Sequence, residues 1–209
     1  KESWNTPVVY KSLSGATELA VASIGGISAF DPGTGERRWS CAGFEEYVCP
    51  SIIVQDGILY ALGGRTSKAM AVRSGGSGDV TESHRLWMIN KGSNVSSPVY
   101  HNGHLYWAKE KGGILYCAKA DTGEIVYQER LLPKTDRIYA SPLLANGRLY
   151  YVSREDGIFI IAARPEFELL AHTNFEGDDS LFAASPVPLS CGAVLLRSDS
   201  FLYRLKPAN

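Results

Sequence analysis

A chain of 209 residues with 21 Lys and Arg against 22 Asp and Glu carries a formal net charge of −1, which removes any sequence-wide electrostatic case for nucleic acid or an anionic membrane surface. With 44% hydrophobic and 21% charged residues it has the make-up of a globular domain able to bury a core, and no apolar run approaches the roughly 20 residues of a transmembrane segment. Four cysteines, scattered along the chain, are too few for a disulfide scaffold.

The chain opens on Lys1 with no charged-then-apolar leader, so it reads as a processed or partial product whose own start does not report targeting. An apolar run at 4–10 is followed by a second at 18–23 and a third at Ile27-Ser28-Ala29-Phe30. The turn Asp31-Pro32-Gly33-Thr34-Gly35-Glu36 then leads into a short fourth run at 37–40. Short, partly alternating runs punctuated by Gly, Pro and Asp predict strands joined by hairpins. No segment carries a helical period with caps at its ends.

A second round of strands is predicted at 51–54, 58–62, 69–72 and 85–88. Its third turn is expanded into Arg73-Ser74-Gly75-Gly76-Ser77-Gly78-Asp79, which reads as a flexible polar insertion. Such an insertion costs little, because loop-closure entropy grows slowly with length. The third round falls at 99–100, 105–108, 114–117 and 125–127, and the fourth at 143–144, 149–152, 158–162 and 167–170. A fifth has three strands only, at 187–189, 194–196 and 201–205.

A phrase of a small residue and a proline precedes each first strand: Thr6-Pro7, Cys49-Pro50, Ser97-Pro98, Ser141-Pro142 and Ser185-Pro186. The prolines lie 43, 48, 44 and 44 residues apart, a period that points to a propeller or solenoid. Four strands joined by tight turns make one antiparallel blade, and a blade alone leaves both faces wet, so neighbours must stack. The prediction is therefore an all-β propeller of four-stranded antiparallel blades within a single domain over 1–209. Its blades fall at about 1–43, 44–92, 93–135, 136–180 and 181–209, four full and the fifth three-stranded. Proline suits a strand start, where an amide donor can be spared. Asp56-Gly57, Asn102-Gly103 and Asn146-Gly147 set the first hairpins. Trp39, Trp87 and Tyr127 recur at one blade position and are predicted to wedge between neighbouring blades, each burying a ring worth about 2–3 kcal/mol.

The run Ala29-Phe30-Asp31-Pro32-Gly33-Thr34-Gly35-Glu36-Arg37-Arg38-Trp39 resembles the repeat of the pyrroloquinoline-quinone-like (PQQ-like) β-propeller family. Ala120-Asp121-Thr122-Gly123-Glu124-Ile125-Val126-Tyr127 is similar to it, with Lys119 where that repeat has an acidic residue. The resemblance covers nearly the whole chain and is strongest to the enzymatically uncharacterised branch related to the outer-membrane assembly lipoprotein BamB, as in bacterial, planctomycete-type secreted propellers. It implies a ring of six to eight blades and an extracytoplasmic location, periplasmic or secreted and envelope-associated. It also implies a non-catalytic scaffold whose partner is a protein or cell-envelope component. Four blades and three strands close a ring poorly, so the chain reads as the C-terminal portion of a larger propeller; a closed five-bladed ring is the alternative.

A second branch of the same family gives the competing reading, a quinoprotein dehydrogenase. That branch implies PQQ and a calcium or lanthanide ion in the channel, a catalytic Asp and a vicinal cysteine pair. The sequence has no Cys-Cys, and its tempting acidic pair, Asp178-Asp179, reads as a solvated turn. No cofactor, metal or catalytic residue is assigned.

Other chemistry is equally thin. No Cys-x-x-Cys or His pair stands at zinc spacing, no His joins a nucleophile motif, and Gly75-Gly76-Ser77-Gly78 lacks the Lys-Ser/Thr of a phosphate loop. Cys41 and Cys49 flank one loop, and read either as a disulfide in an oxidising compartment or as two small buried thiols. The candidate surface is a rim. Tyr47, Asn94, Tyr139 and Phe182 precede the innermost strands, while the turns after the second strands carry Arg65, Lys109, Lys111, Arg154 and Arg197. If those turns share the rim, its mouth is basic and aromatic and suits an anionic, sugar or peptide ligand; otherwise they show ordinary loop polarity.

Overall fold

The computed structural model describes residues 3–131, 135, 137–175, 177 and 181–206. Five sheets, antiparallel apart from one short strand added to the first, follow one another along the chain. The first holds β1 (Val8–Lys11), β2 (Thr17–Ser23), β3 (Gly26–Phe30) and β4 (Arg37–Ala42). Next come β5 (Ile53–Gln55), β6 (Ile58–Gly63) and β7 (Lys68–Arg73), then a detour through β8 (Gly78–Asp79) and the single turn α1 (Thr81–His84), before β9 (Arg85–Ile89) completes the second sheet. The third is β10 (Val99–His101), β11 (His104–Ala108), β12 (Ile114–Lys119) and β13 (Ile125–Arg130). The fourth is β14 (Leu143–Ala145), β15 (Arg148–Val152), β16 (Ile158–Ala162) and β17 (Leu169–Thr173). The fifth has β18 (Val187–Pro188), β19 (Val194–Arg197) and β20 (Leu202–Leu205). These are the blades of an all-β propeller, four full and one of three strands.

Period-two alternation, with both faces of each inner blade buried, explains how the sheets stack. Along β6, Leu59 and Ala61 face the first blade while Tyr60 and Leu62 face the third. Along β11, Leu105 and Trp107 face the second blade while Tyr106 and Ala108 face the fourth. Along β15, Leu149 and Tyr151 face the third blade, and Tyr150 and Val152 the fifth. A strand buried on both faces reads as a continuous apolar run, because side chains alternate across the pleat. The buried clusters therefore occupy four seams, and among the described residues none joins the fifth sheet to the first.

The fourth strands carry the aromatic wedges. The Trp87 ring sits on Gly123 of the next blade, and its Nε1–H donates to the Ala120 carbonyl at 2.9 Å. Tyr127 meets Phe167 of the fourth blade edge-on at 5.5 Å. Trp39 lies fully buried in the first seam, its Nε1–H donating to the buried Glu18 carboxylate at 3.0 Å, which also accepts from Tyr10 Oη. Each full blade has a register shift at the same place in its outer hairpin, at Ala29/Phe30, Ala71/Val72, Cys117/Ala118 and Ile160/Ile161. A bulge there turns the outer strand and increases its twist.

Two expectations change. The insertion at 73–79 is ordered: β8 adds in parallel to β4, with Trp39 opposite Gly78, and Val80 is buried in the first seam. Thr81 Oγ1 then accepts from the Ala42 amide at 2.8 Å. The glycines serve a backbone that must turn through positive φ at Gly75, Gly76 and Gly78 to reach the neighbouring edge. The second change is one of register. A serine hydroxyl in each blade from the second to the fifth accepts from the equivalent amide one blade earlier: Thr6 N to Ser51 Oγ, Ser51 N to Ser97 Oγ, Ser97 N to Ser141 Oγ and Ser141 N to Ser185 Oγ, all between 2.9 and 3.2 Å. The partners are 45, 46, 44 and 44 residues apart. Ser51-Ile52, not Cys49-Pro50, is thus the second blade's copy of the phrase. The position after the serine needs a buried apolar residue, which Ile52 supplies as well as Pro98 or Pro142.

Candidate functional site: a basic cavity on one rim

The serine relay fixes where the innermost strands begin and therefore where the residues before them project. Backbone bonds tie the turns after the second strands to those same segments. The Ile138 amide donates to the Glu110 carbonyl, the Arg154 amide to Arg137 and the Phe182 amide to Arg154, each at 2.9 Å. Both sets of loops consequently share one rim, and a cavity of about 640 Å³ opens between them, within the size range of ligand pockets.

Tyr47, Asn94 and Tyr139, from the entries to three successive blades, line this cavity together with Arg65, Lys109, Lys111, Glu110, Arg137, Ser67 and Val95. Tyr47 Oη accepts from Asn94 Nδ2 and from Arg65 Nε, both at 3.2 Å, and the Arg65 guanidinium lies 5.5 Å from the Tyr47 ring centroid. That hydrogen bond to Tyr47, followed by their electrostatic interaction, raises the Arg65 pKa and holds it charged. At the other wall Arg137 Nη1 donates to Tyr139 Oη at 3.0 Å, and the Arg154 guanidinium stands 5.1 Å from the Tyr139 centroid. Cation–π contacts of this kind hold a guanidinium over the ring face. Among the described lining residues, four cationic side chains stand with one carboxylate, Glu110, which has Lys111 Nζ at 3.9 Å. At this rim the buried atoms Asn94 Oδ1, Glu110 Oε2 and Arg154 Nε have no hydrogen-bond partner among the described residues.

Of the rim residues singled out in the sequence, Tyr47, Arg65, Asn94, Lys109 and Tyr139 converge on the cavity, and Arg154 reaches it through Tyr139. Phe182 does not. It is 3% exposed and packs with Phe175 and Tyr203 at 5.2 and 6.2 Å between ring centroids. Arg197 is exposed at the end of β19 and lies away from the cavity lining. Glu110 and Arg137 carried no signal in the repeat; Arg137 is legible only as the residue two before Tyr139 in an extended entry segment, where alternate side chains share a side.

Cys41 and Cys49 are separate thiols rather than a disulfide. Cys41 faces the first seam from β4, opposite Ile27, whereas Cys49 sits half-buried at the blade entry. Burial raises the pKa of both, which keeps them protonated and weakly nucleophilic. Asp178 and Asp179 lie outside the described residues. No helix among the described residues is long and apolar enough to cross a membrane.

A family model described as outer membrane protein assembly factor BamB matches residues 23–164. Among solved structures, BamB from Moraxella catarrhalis is 14% identical with a TM-score of 0.72, over 96% of this chain and 57% of that one. The quinohemoprotein alcohol dehydrogenase ADHIIG from Pseudomonas putida HK5 is 13% identical with a TM-score of 0.68, over 98% of this chain and 40% of that one. The corresponding enzyme from Comamonas testosteroni gives 13% and 0.67, over 98% and 41%. The chain thus spans about half the length of these structures, and identities this low speak to the fold alone. No curated protein sequence matches.

Proposed function

Because the chain belongs to the family described as outer membrane protein assembly factor BamB, we propose that it is part of a non-catalytic, extracytoplasmic propeller that binds a protein or cell-envelope partner at its basic rim cavity. One observation carries the reading: entry segments and turns from successive blades converge to place Arg65, Lys109, Lys111 and Arg137 around one cavity in which Glu110 is the one carboxylate among the described lining residues. A cavity lined mainly by one sign of charge focuses its field on an oppositely charged partner and speeds encounter.

The fold likeness to two quinohemoprotein alcohol dehydrogenases motivates the competing reading, a quinone-dependent dehydrogenase. The described residues do not fit a quinone–calcium pair. Among the described residues Glu110 is the one carboxylate lining the cavity, and no group of three His, Cys, Asp or Glu is placed to hold a metal ion. Calcium needs six to eight oxygen ligands, several of them carboxylate.

The test is capture. The tagged protein and an Arg65→Gln/Lys109→Gln/Lys111→Gln variant are cross-linked to an envelope extract of the source organism, and the bound proteins are compared by mass spectrometry. Wild-type protein is expected to retain a defined set that the variant loses, with loss graded by added salt. Identical recoveries would overturn the cavity as the binding surface, and dye-linked alcohol oxidation after loading with PQQ and calcium would overturn the non-catalytic assignment.

A further inference from the structure

Building on the cavity reading above, we infer that its occupant is an acidic peptide segment, an extended stretch of polypeptide that presents at least two Asp or Glu carboxylates. Charge sets the sign. Arg65 and Arg137 stand on different blades, each with its guanidinium hydrogen-bonded to a tyrosine hydroxyl. A guanidinium offers a planar fork that matches a carboxylate in two-pronged fashion, and Lys109 and Lys111 add point charges between the two.

The unpartnered atoms narrow the class further. Asn94 Oδ1 and Glu110 Oε2 are buried acceptors with no donor among the described residues, so an occupant that donates as well as accepts suits the site better than one that only accepts. Inorganic sulfate and fully ionised phosphate only accept. A peptide brings backbone N–H donors beside its carboxylates.

Acidic sugars also combine carboxylates with donors, and the tyrosines argue against them. A pyranose ring lies on an uncovered aromatic face. Here each tyrosine already carries a guanidinium, Arg65 at 5.5 Å from the Tyr47 centroid and Arg154 at 5.1 Å from that of Tyr139. Tyr47 is further covered by the Trp4 ring, edge-on at 5.1 Å. The rings orient the arginines; they are not sugar platforms.

Fluorescence polarisation of fluorescein-labelled acetyl-hexaglutamate tests the inference on the intact chain. The peptide is expected to bind and weaken with salt, as exposed charge pairs do, while labelled hexaglutamine does not bind. An Arg65→Gln/Arg137→Gln variant with unchanged melting temperature should bind at least about tenfold more weakly. Glu110→Gln, which removes a carboxylate from the lining but keeps an acceptor, should tighten binding several-fold, an outcome that misfolding cannot imitate. Equal binding of hexaglutamine, indifference to both variants, or displacement of the label by trigalacturonate at lower concentration than by unlabelled hexaglutamate would each overturn the acidic-peptide assignment. Cavity-dependent capture from the extract that hexaglutamate fails to compete would overturn this inference and leave the capture reading standing. Capture that ignores the cavity variants would overturn the capture reading itself.

Discussion

Gly35 and Gly123 occupy the same place in the Thr-Gly-Glu turn of their blades, and the structure predicts that replacing them will not cost the same. Both hold positive φ, 76° and 72°, so alanine at either position meets the left-handed penalty of about 1–2 kcal/mol. A Cβ on Gly35 meets nothing within 4 Å. On Gly123 it would stand 2.7 Å from Cδ2 and Cε3 of Trp87. That ring cannot swing away cheaply, because it is 9% exposed in the seam and anchored through Nε1 to Ala120. Overpacking of a buried site adds about 1–3 kcal/mol, which puts Gly123→Ala at about 2–5 kcal/mol and Gly35→Ala at about 1–2 kcal/mol. Urea denaturation of the two variants, with unchanged m values, reads the difference directly. Protein labelled with 5-fluorotryptophan gives the local check, since four tryptophans report separately by fluorine NMR and only the Trp87 resonance should move strongly in Gly123→Ala. Equal costs at the two glycines would refute the claim that the aromatic on the fourth strand locks each blade to the turn of the next.

Ser141→Ala removes one link of the relay, the Ser97 amide to Ser141 Oγ bond at 2.9 Å, and should cost about 1 kcal/mol in a denaturation curve, with Ser141→Thr near neutral. Unreduced, denatured protein should yield four thiols with Ellman's reagent, given four free cysteines; two would mean that one pair is joined, whereas four is the count that the structure requires. In the native state Cys191 should react first, because the Ala193 amide and then Arg204 lower its pKa, and Cys191→Ser should remove the fast phase. Cys117 supplies a pH dependence. Burial pushes its thiol from 9.0 up to about 11, so the unfolded chain ionises first; the stability this group contributes is intact below about pH 9 and lost as pH rises through about 11. Cys117→Ala should flatten that part of the stability profile measured between those two values.

The architecture was legible because its physics is local and repeated. Asp56, Asn102 and Asn146 each take φ near 48°, followed by a glycine at positive φ, the turn chemistry that those pairs announce in the sequence. Strand alternation in β6, β11 and β15 likewise assigns each side chain to a seam. The two features that the sequence concealed depend on contacts between blades. Pro50 drew the eye because proline marks a strand start, yet the relay is a property of Ser51, and only the amide one blade earlier reveals it. The insertion looked like solvent-exposed linker because its glycines and serines cannot pack, but the unpaired edge of β4 gives that backbone hydrogen-bond partners instead. The cavity falls between these cases. Its residues could be named from the register, whereas Glu110 and its missing partner could not, since an orphaned acceptor exists only once the surrounding shell is closed.

Phe182 shows how far register alone can be trusted. It shares the position before the innermost strand with Tyr47, Asn94 and Tyr139, all of which line the cavity with a polar end engaged there. Phenylalanine has no polar end to satisfy, so the same backbone site turns its ring inward onto Phe175 and Tyr203. The basic wall therefore stops at the Tyr139–Arg154 pair, and among the described residues the cavity lining runs from Tyr47 to Tyr139. The two variants that follow should separate cleanly. Phe182→Ala empties a buried aromatic site and should cost about 3–5 kcal/mol in stability, while hexaglutamate affinity at a temperature where the variant is folded stays as in the wild type. Tyr139→Phe removes only the hydroxyl that accepts from Arg137; it should leave stability within about 1 kcal/mol and weaken hexaglutamate binding by removing one contact that orients the Arg137 guanidinium. Loss of binding in Phe182→Ala with none in Tyr139→Phe would place the binding wall on the fifth blade instead.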